Sequence, residues 1–209
     1  MQPEAKKDSS VVDDLMPKDA FERRFVFIDN DTLKKNIAIA FEYIVFLIDT
    51  ASKDGLKELI RSSLYKDALL YTGTVVEACL LYALLKYFSA NKLVKSKVLS
   101  PDWKVESQGV IHAFSKKKRI RYVIEHLVYD DIRNSTNFVE INRACLRGHI
   151  LNKSEYNIAE EIREARNKIH VFALKYIDNS HKKEYLDKMF SKAGMIINKV
   201  EKKLKKISS

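Results

Sequence analysis

Residues Ala68–Leu85 read "ALLYTGTVVEACLLYALL", and Glu77 is the one charged side chain in that stretch. Apolar residues at helical spacing fall on every side, so the pattern predicts a helix wrapped by others at the centre of the fold. The helix is expected to run from about Ser63 to Ser89. Gly73 sits in its middle, where glycine costs about 1 kcal/mol against alanine. A close crossing with a second helix would account for it. Glu77 poses a sharper question, because desolvating an unpaired carboxylate costs several kcal/mol. Its candidate partners are Arg163 and Arg166. The alternative is a place for Glu77 at a solvated edge.

Working outward, the chain has 209 residues, enough for one domain with a sizeable core. Apolar residues make up 46% and charged residues 32%, a balance that excludes a disordered chain. Only 5 glycines and 3 prolines are present, so a fold built on tight β-turns is disfavoured and an all-α domain is expected over residues 21–209. Residues 1–20 read as a polar tail of mixed charge without the apolar run of a secretory signal. No clean membrane span is found, since the nearest candidates carry Glu42 and Glu77. A cytoplasmic protein without membrane partners is the expectation.

Helices are predicted from Asp31 or Thr32 to about Gly55, with Thr32 as N-cap, and from "STNFVEINRACLRGHIL" to Gly148. Another is expected from a Ser154 cap to about Ile177, and a last one from about Lys182 to Ile207. "FERRFVFID" is read as a short extended or helical lead-in. "RIRYVIEHLV" also reads as a helix. Between about residues 91 and 115, "KVES" and "GVIHAF" suggest a small hairpin, with an irregular insertion as the alternative. Cys79 and Cys145 stand far apart in apolar helical contexts and are expected to be buried free thiols. His112, His126, His149 and His181 lack metal-ligand spacing, so no metal and no cofactor are predicted.

The segment "IREARNKIHVFAL", Ile162–Leu174, carries the chemistry. At about 100° per residue, Arg163, Arg166, Asn167 and His170 share an arc of roughly 100°. Ile158, Ile162, Ala165, Ile169, Phe172 and Tyr176 form a separate apolar stripe. The polar set is thus left off the core-facing side. A solvated face is one reading, though such faces more often mix Lys and Glu. The other is a phosphate site. Histidine titrates near neutrality and serves as base or acid, while arginine presents a fixed fork of donors to phosphate oxygens. A net charge of +10 favours anionic partners, nucleic acid above all. A two-fold dimer would bring two such sets together.

"EEIREARNKIHVFAL" resembles the signature helix of HEPN-domain proteins, with "YTGTVVEACLLYALL" similar to their earlier helix and "FVEINRACLRGHIL" to the segment before the motif. The family motif is an Arg, often followed by Asn, then a His after four to six intervening residues. Arg163 meets that spacing to His170 without an adjacent Asn. Arg166 has the Asn but only three residues before His170. The resemblance implies a HEPN-type helical bundle and a metal-independent endoribonuclease acting as a homodimer in a toxin–antitoxin or phage-defence setting. It implies His170 as general base or acid, Arg166 as phosphate clamp, Arg163 as second clamp, Asn167 as positioner and Glu77 as orienter. RNA, a second copy and an antitoxin or other protein are the partners it suggests. The alternatives are a non-catalytic module that binds a protein through the same face, and a structural dimer.

The basic run Lys116, Lys117, Lys118, Arg119 and Arg121 is a candidate RNA contact, with a solvated turn as the blander reading. Trp103, beside Pro101 and Asp102, is expected to anchor a loop, or else to stack on a base.

Overall fold

The computed structural model describes residues 20–129, 131–133, 136–168 and 181–208. Helix α1 (Ala20–Arg24) leads into α2 (Asp31–Ala51), α3 (Glu58–Ser89) and the short α4 (Lys95–Val98). Strands β1 (Asp102–Ser115) and β2 (Lys118–Val128) follow, then α5 (Phe138–Arg147), α6 (Lys153–Asn167) and α7 (Lys183–Ser208).

The apolar surface of α3 is covered on most sides, since α2, α5, α6 and α7 all pack against it, while Tyr71 and Leu85 remain exposed. Leu69, Val76, Cys79, Leu80 and Leu84 have almost no exposure and meet Ile44, Ile141, Ile162 and Ile196 in one core cluster. Among the described residues, Glu58–Ser89 is the one helix long and apolar enough to cross a membrane, and 61% of its most apolar stretch is buried inside the fold. The helix starts five residues earlier than its apolar pattern indicates, because Leu59 and Ile60 are exposed on its first turn and add nothing to the stripe.

Local capping sets the other boundaries. Asn30, not Thr32, caps α2 by accepting a 2.9 Å bond from the Leu33 N–H. Asn152, not Ser154, caps α6 in a reciprocal box: its Oδ1 accepts from the Glu155 N–H at 2.9 Å, and its own N–H donates to Glu155 Oε2 at 2.7 Å. The link between α1 and α2 is clamped onto α3. The Tyr82 hydroxyl donates to Asp29 Oδ1 at 2.5 Å and accepts from the Asp29 N–H at 3.0 Å, and Lys86 pairs with the same carboxylate. Lys86 and Tyr82 together hold that carboxyl below its ordinary value.

The expected all-α bundle of the HEPN type needs correction. Residues 102–128 form a two-stranded antiparallel ribbon, so the protein is mostly helical with one sheet. "RIRYVIEHLV" lies in β2 instead of a helix. Ile120, Val123, Ile124 and Leu127 fit a helical stripe, but Ile120, Tyr122 and Ile124 fit a strand equally well, and pairing with β1 decides. "KVES" and "GVIHAF" belong to one strand, and the turn is Lys116–Lys117. Gly109 makes no turn; a Cβ there would come within 2.7 Å of the Tyr122 ring, which lies over it. The register shifts after Val105, Val110 and Ala113, so β1 has 14 residues against 11 in β2. Such bulges increase ribbon twist. The strands pair chiefly with each other and are exposed on both faces. Trp103, 60% exposed, anchors nothing in the core.

Candidate functional site

The site is built where α6 crosses α3. Gly73 allows the approach: a Cβ there would sit 3.0 Å from Arg166 Cβ and Cδ, so the arginine stem lies directly over the glycine. One turn further along α3, Glu77 Oε2 stands 3.0 Å from Arg166 Nη1. The pairing that Glu77 called for is therefore present, with Arg166 as partner. Both side chains are largely withdrawn from solvent, at 21% and 28% exposure. Burial pushes the Glu77 carboxyl above its ordinary value, and the Arg166 guanidinium opposes that rise.

Arg163, one turn back on α6, has its own carboxylate. Its Nε and Nη2 approach Glu160 Oε2 at 2.9 and 2.8 Å. Glu160 Oε1 accepts from Asn142 Nδ2 of α5 at 2.7 Å. Asn142 is fully buried, and its Oδ1 has no hydrogen-bond partner among the described residues. Glu160 and Asn142 were not singled out from the sequence, yet both left a signal. Glu160 precedes Arg163 by three positions on one helix face. Asn142 interrupts the stripe of Phe138, Ile141 and Cys145, where an amide needs a polar partner.

Glu77, Arg163, Arg166 and Asn167 line one cleft of about 460 Å³, closed on its other side by Thr136–Val139 at the start of α5. Asn137, the N-cap of α5, makes no side-chain capping bond, and its carbonyl accepts from the Glu140 and Ile141 N–H groups at 2.9 and 3.1 Å. Each arginine spends part of its five-donor fork on its carboxylate and keeps the remainder. The carboxylates cancel much of the net charge but fix the orientation of both guanidiniums, which suits a planar or tetrahedral oxyanion at a set position.

His170 lies outside the described residues, as do the tail 1–19 and the expected continuation of the motif helix to Ile177. Lys116 and Lys117 form the hairpin turn, and Lys118, Arg119 and Arg121 lie on β2. All are exposed, and none lines the cleft. Among the described residues no group of His, Cys, Asp and Glu is arranged to hold a metal. Cys79 and Cys145 are buried free thiols, and burial pushes the Cys79 thiol up to about 12. In comparisons with known proteins, no family model, no curated protein and no solved structure matches this chain.

Proposed function

We propose that the protein is a metal-independent endoribonuclease that cleaves RNA through its own 2′-hydroxyl, at a cleft completed by a second copy of the chain. One observation carries the reading: two guanidiniums, each oriented by a separate carboxylate, face one cleft beside an amide. In the reaction a base removes the 2′-hydroxyl proton, and the 2′-oxygen bonds to phosphorus. The P–O5′ bond breaks, and an acid supplies a proton to the departing 5′-oxygen. A 2′,3′-cyclic phosphate and a 5′-hydroxyl result. His170 takes the base or acid role, since imidazole titrates near neutrality. Arg166 and Arg163 stabilise the charge that builds on the phosphorus oxygens, and Asn167 positions the scissile group. Glu77 holds Arg166 in place. The resemblance of the Arg-Asn-His segment to the HEPN motif supports this assignment, together with a cytoplasmic toxin or defence role and a protein antitoxin.

The test is cleavage of a defined RNA in excess EDTA. Wild type is expected to yield cyclic-phosphate ends, and His170→Ala is expected to yield none. Intact RNA with wild type would remove the proposal.

A second reading, a non-catalytic interaction module, has its own support. Tyr43 stacks with Phe46 and meets Tyr71 edge-on at 4.9 Å, and all three are exposed where α2 and α3 meet solvent. On this reading RNA stays intact, and changes on that patch abolish complex formation.

A further inference from the structure

A second cleft, of about 590 Å³, adjoins the first. Both include Thr136 in their walls, and both flank α5. The first takes residues from the start of that helix. The second takes Glu140, Arg143, Ala144 and Arg147, which recur at one helical face, and then reaches the foot of the hairpin at Asp102 and Lys104. Its cations are Lys104, Arg133, Arg143 and Arg147. Of its three carboxylates, Asp131 is already taken up by Lys95 from outside the cleft, leaving Asp102 and Glu140. Arg147 donates to the neutral Ser100 Oγ at 2.8 Å, and Arg143 makes no ion pair among the described residues, so both keep their charge available.

The hairpin continues this path. Lys104 stands opposite His126 in the register, so the face it shares also carries Tyr122, His112 and Lys118. Phe114 joins it, with its ring 4.5 Å from that of His112 and edge-on. Phe114 is 61% exposed. Glu106 lies near the foot of the hairpin, 3.9 Å from His126 Nδ1, but beyond it, from Ser107 to Ile124, there is no carboxylate, while Lys116, Lys117, Lys118, Arg119 and Arg121 are all cationic. A cationic groove followed by a ribbon that carries cations on both faces, with Tyr122 and Phe114 exposed on the face that continues the groove, is what an unpaired nucleic-acid strand requires. The backbone is met by charge, and the base faces are met by stacking. A duplex hides its base faces and would leave the rings unused.

We propose that a single-stranded stretch of RNA leaves the cleft at Thr136, runs along α5 with Arg143 and Arg147 on its phosphates, and reaches the hairpin, where Tyr122 and Phe114 stack on its bases. The identity of the ligand rests on the RNA reading above, but the binding does not depend on cleavage.

The probe is a labelled single-stranded 2′-O-methyl oligoribonucleotide, which lacks the attacking hydroxyl, titrated with full-length protein by fluorescence anisotropy over a range of salt. Arg143→Glu with Arg147→Glu is expected to weaken binding more than tenfold and to flatten the salt dependence by about 1.4 in log–log slope. Phe114→Ala is expected to weaken binding about fivefold or more with the slope kept, and Phe114→Trp to restore it. Circular dichroism confirms that each variant is folded. The proposal is overturned if wild type fails to bind, if these variants bind like wild type, or if the matching duplex or poly-glutamate binds as tightly. Loss of binding here is separate from absence of cyclic-phosphate ends in the cleavage assay, so either reading can fail alone.

Discussion

The α3–α6 crossing and the hairpin are opposites. At the crossing, Ile162 and Ala165 are sealed against the core, the Arg166 stem fills the space over Gly73, and each arginine has a carboxylate. On the hairpin, Trp103, Val105, Ile111, Phe114 and Ile124 all stand open to solvent. A two-stranded hairpin alone is marginal in water. The contrast teaches that one region is held by its own packing and fixes geometry, while the other contributes little to the core and is available for contact.

The largest effect should separate the two regions directly. Ile162→Ala is expected to cost about 2–5 kcal/mol in urea unfolding, whereas Ile124→Ala on the ribbon should stay within about 0.5 kcal/mol. Equal costs would break the comparison. Next comes Glu77→Ala, which leaves the Arg166 guanidinium half-buried and unpaired. It is expected to cost about 1–3 kcal/mol, below the figure for a fully buried pair because both groups retain some solvent.

The same carboxyl gives a pH signature. Its pKa is raised in the folded state from an ordinary value of 4.5. Its contribution to stability is therefore fully present below that value and lost as pH rises through the folded pKa. The stability of wild type relative to Glu77→Gln should fall as pH rises above about 4.5, measured by denaturant midpoints across pH. Tyr82→Phe removes the hydroxyl that bridges to Asp29 and should cost about 1 kcal/mol. The smallest change is chemical and leaves the fold alone: Cys79 and Cys145 should resist a thiol reagent in native protein at pH 8 and both react once unfolded. Rapid native labelling would contradict the packing around α3.

How much of this was legible varied with the physics of each element. The centrality of α3 could be read because an all-round apolar helix has no other place to go. Gly73 and Glu77 could be read as demands, for a close neighbour and for a partner, and Arg166 answers both. The helices α5 and α7, and the start of α6, are announced by periodicity and end signals to within a few residues, while the end expected for α6 near Ile177 lies outside the described residues. Strand β2 reads as a helix because Ile120, Val123, Ile124 and Leu127 fit the helical period while Ile120, Tyr122 and Ile124 fit the strand period, and only pairing with β1 breaks the tie. The Asn142–Glu160–Arg163 chain needed the relative placement of α5 and α6, and the cleft needed the place where α5 begins. Neither is a property of a local pattern.

The central claim is that an oriented guanidinium on α6 acts on RNA phosphate. Single-turnover cleavage of one labelled RNA in EDTA by wild type and by Arg166→Lys tests it most directly. Lysine keeps the charge but loses the fork that Glu77 orients, so the account predicts at least a tenfold slower reaction with the same cyclic-phosphate product. Equal rates for the two proteins, or no cleavage by wild type, would contradict it.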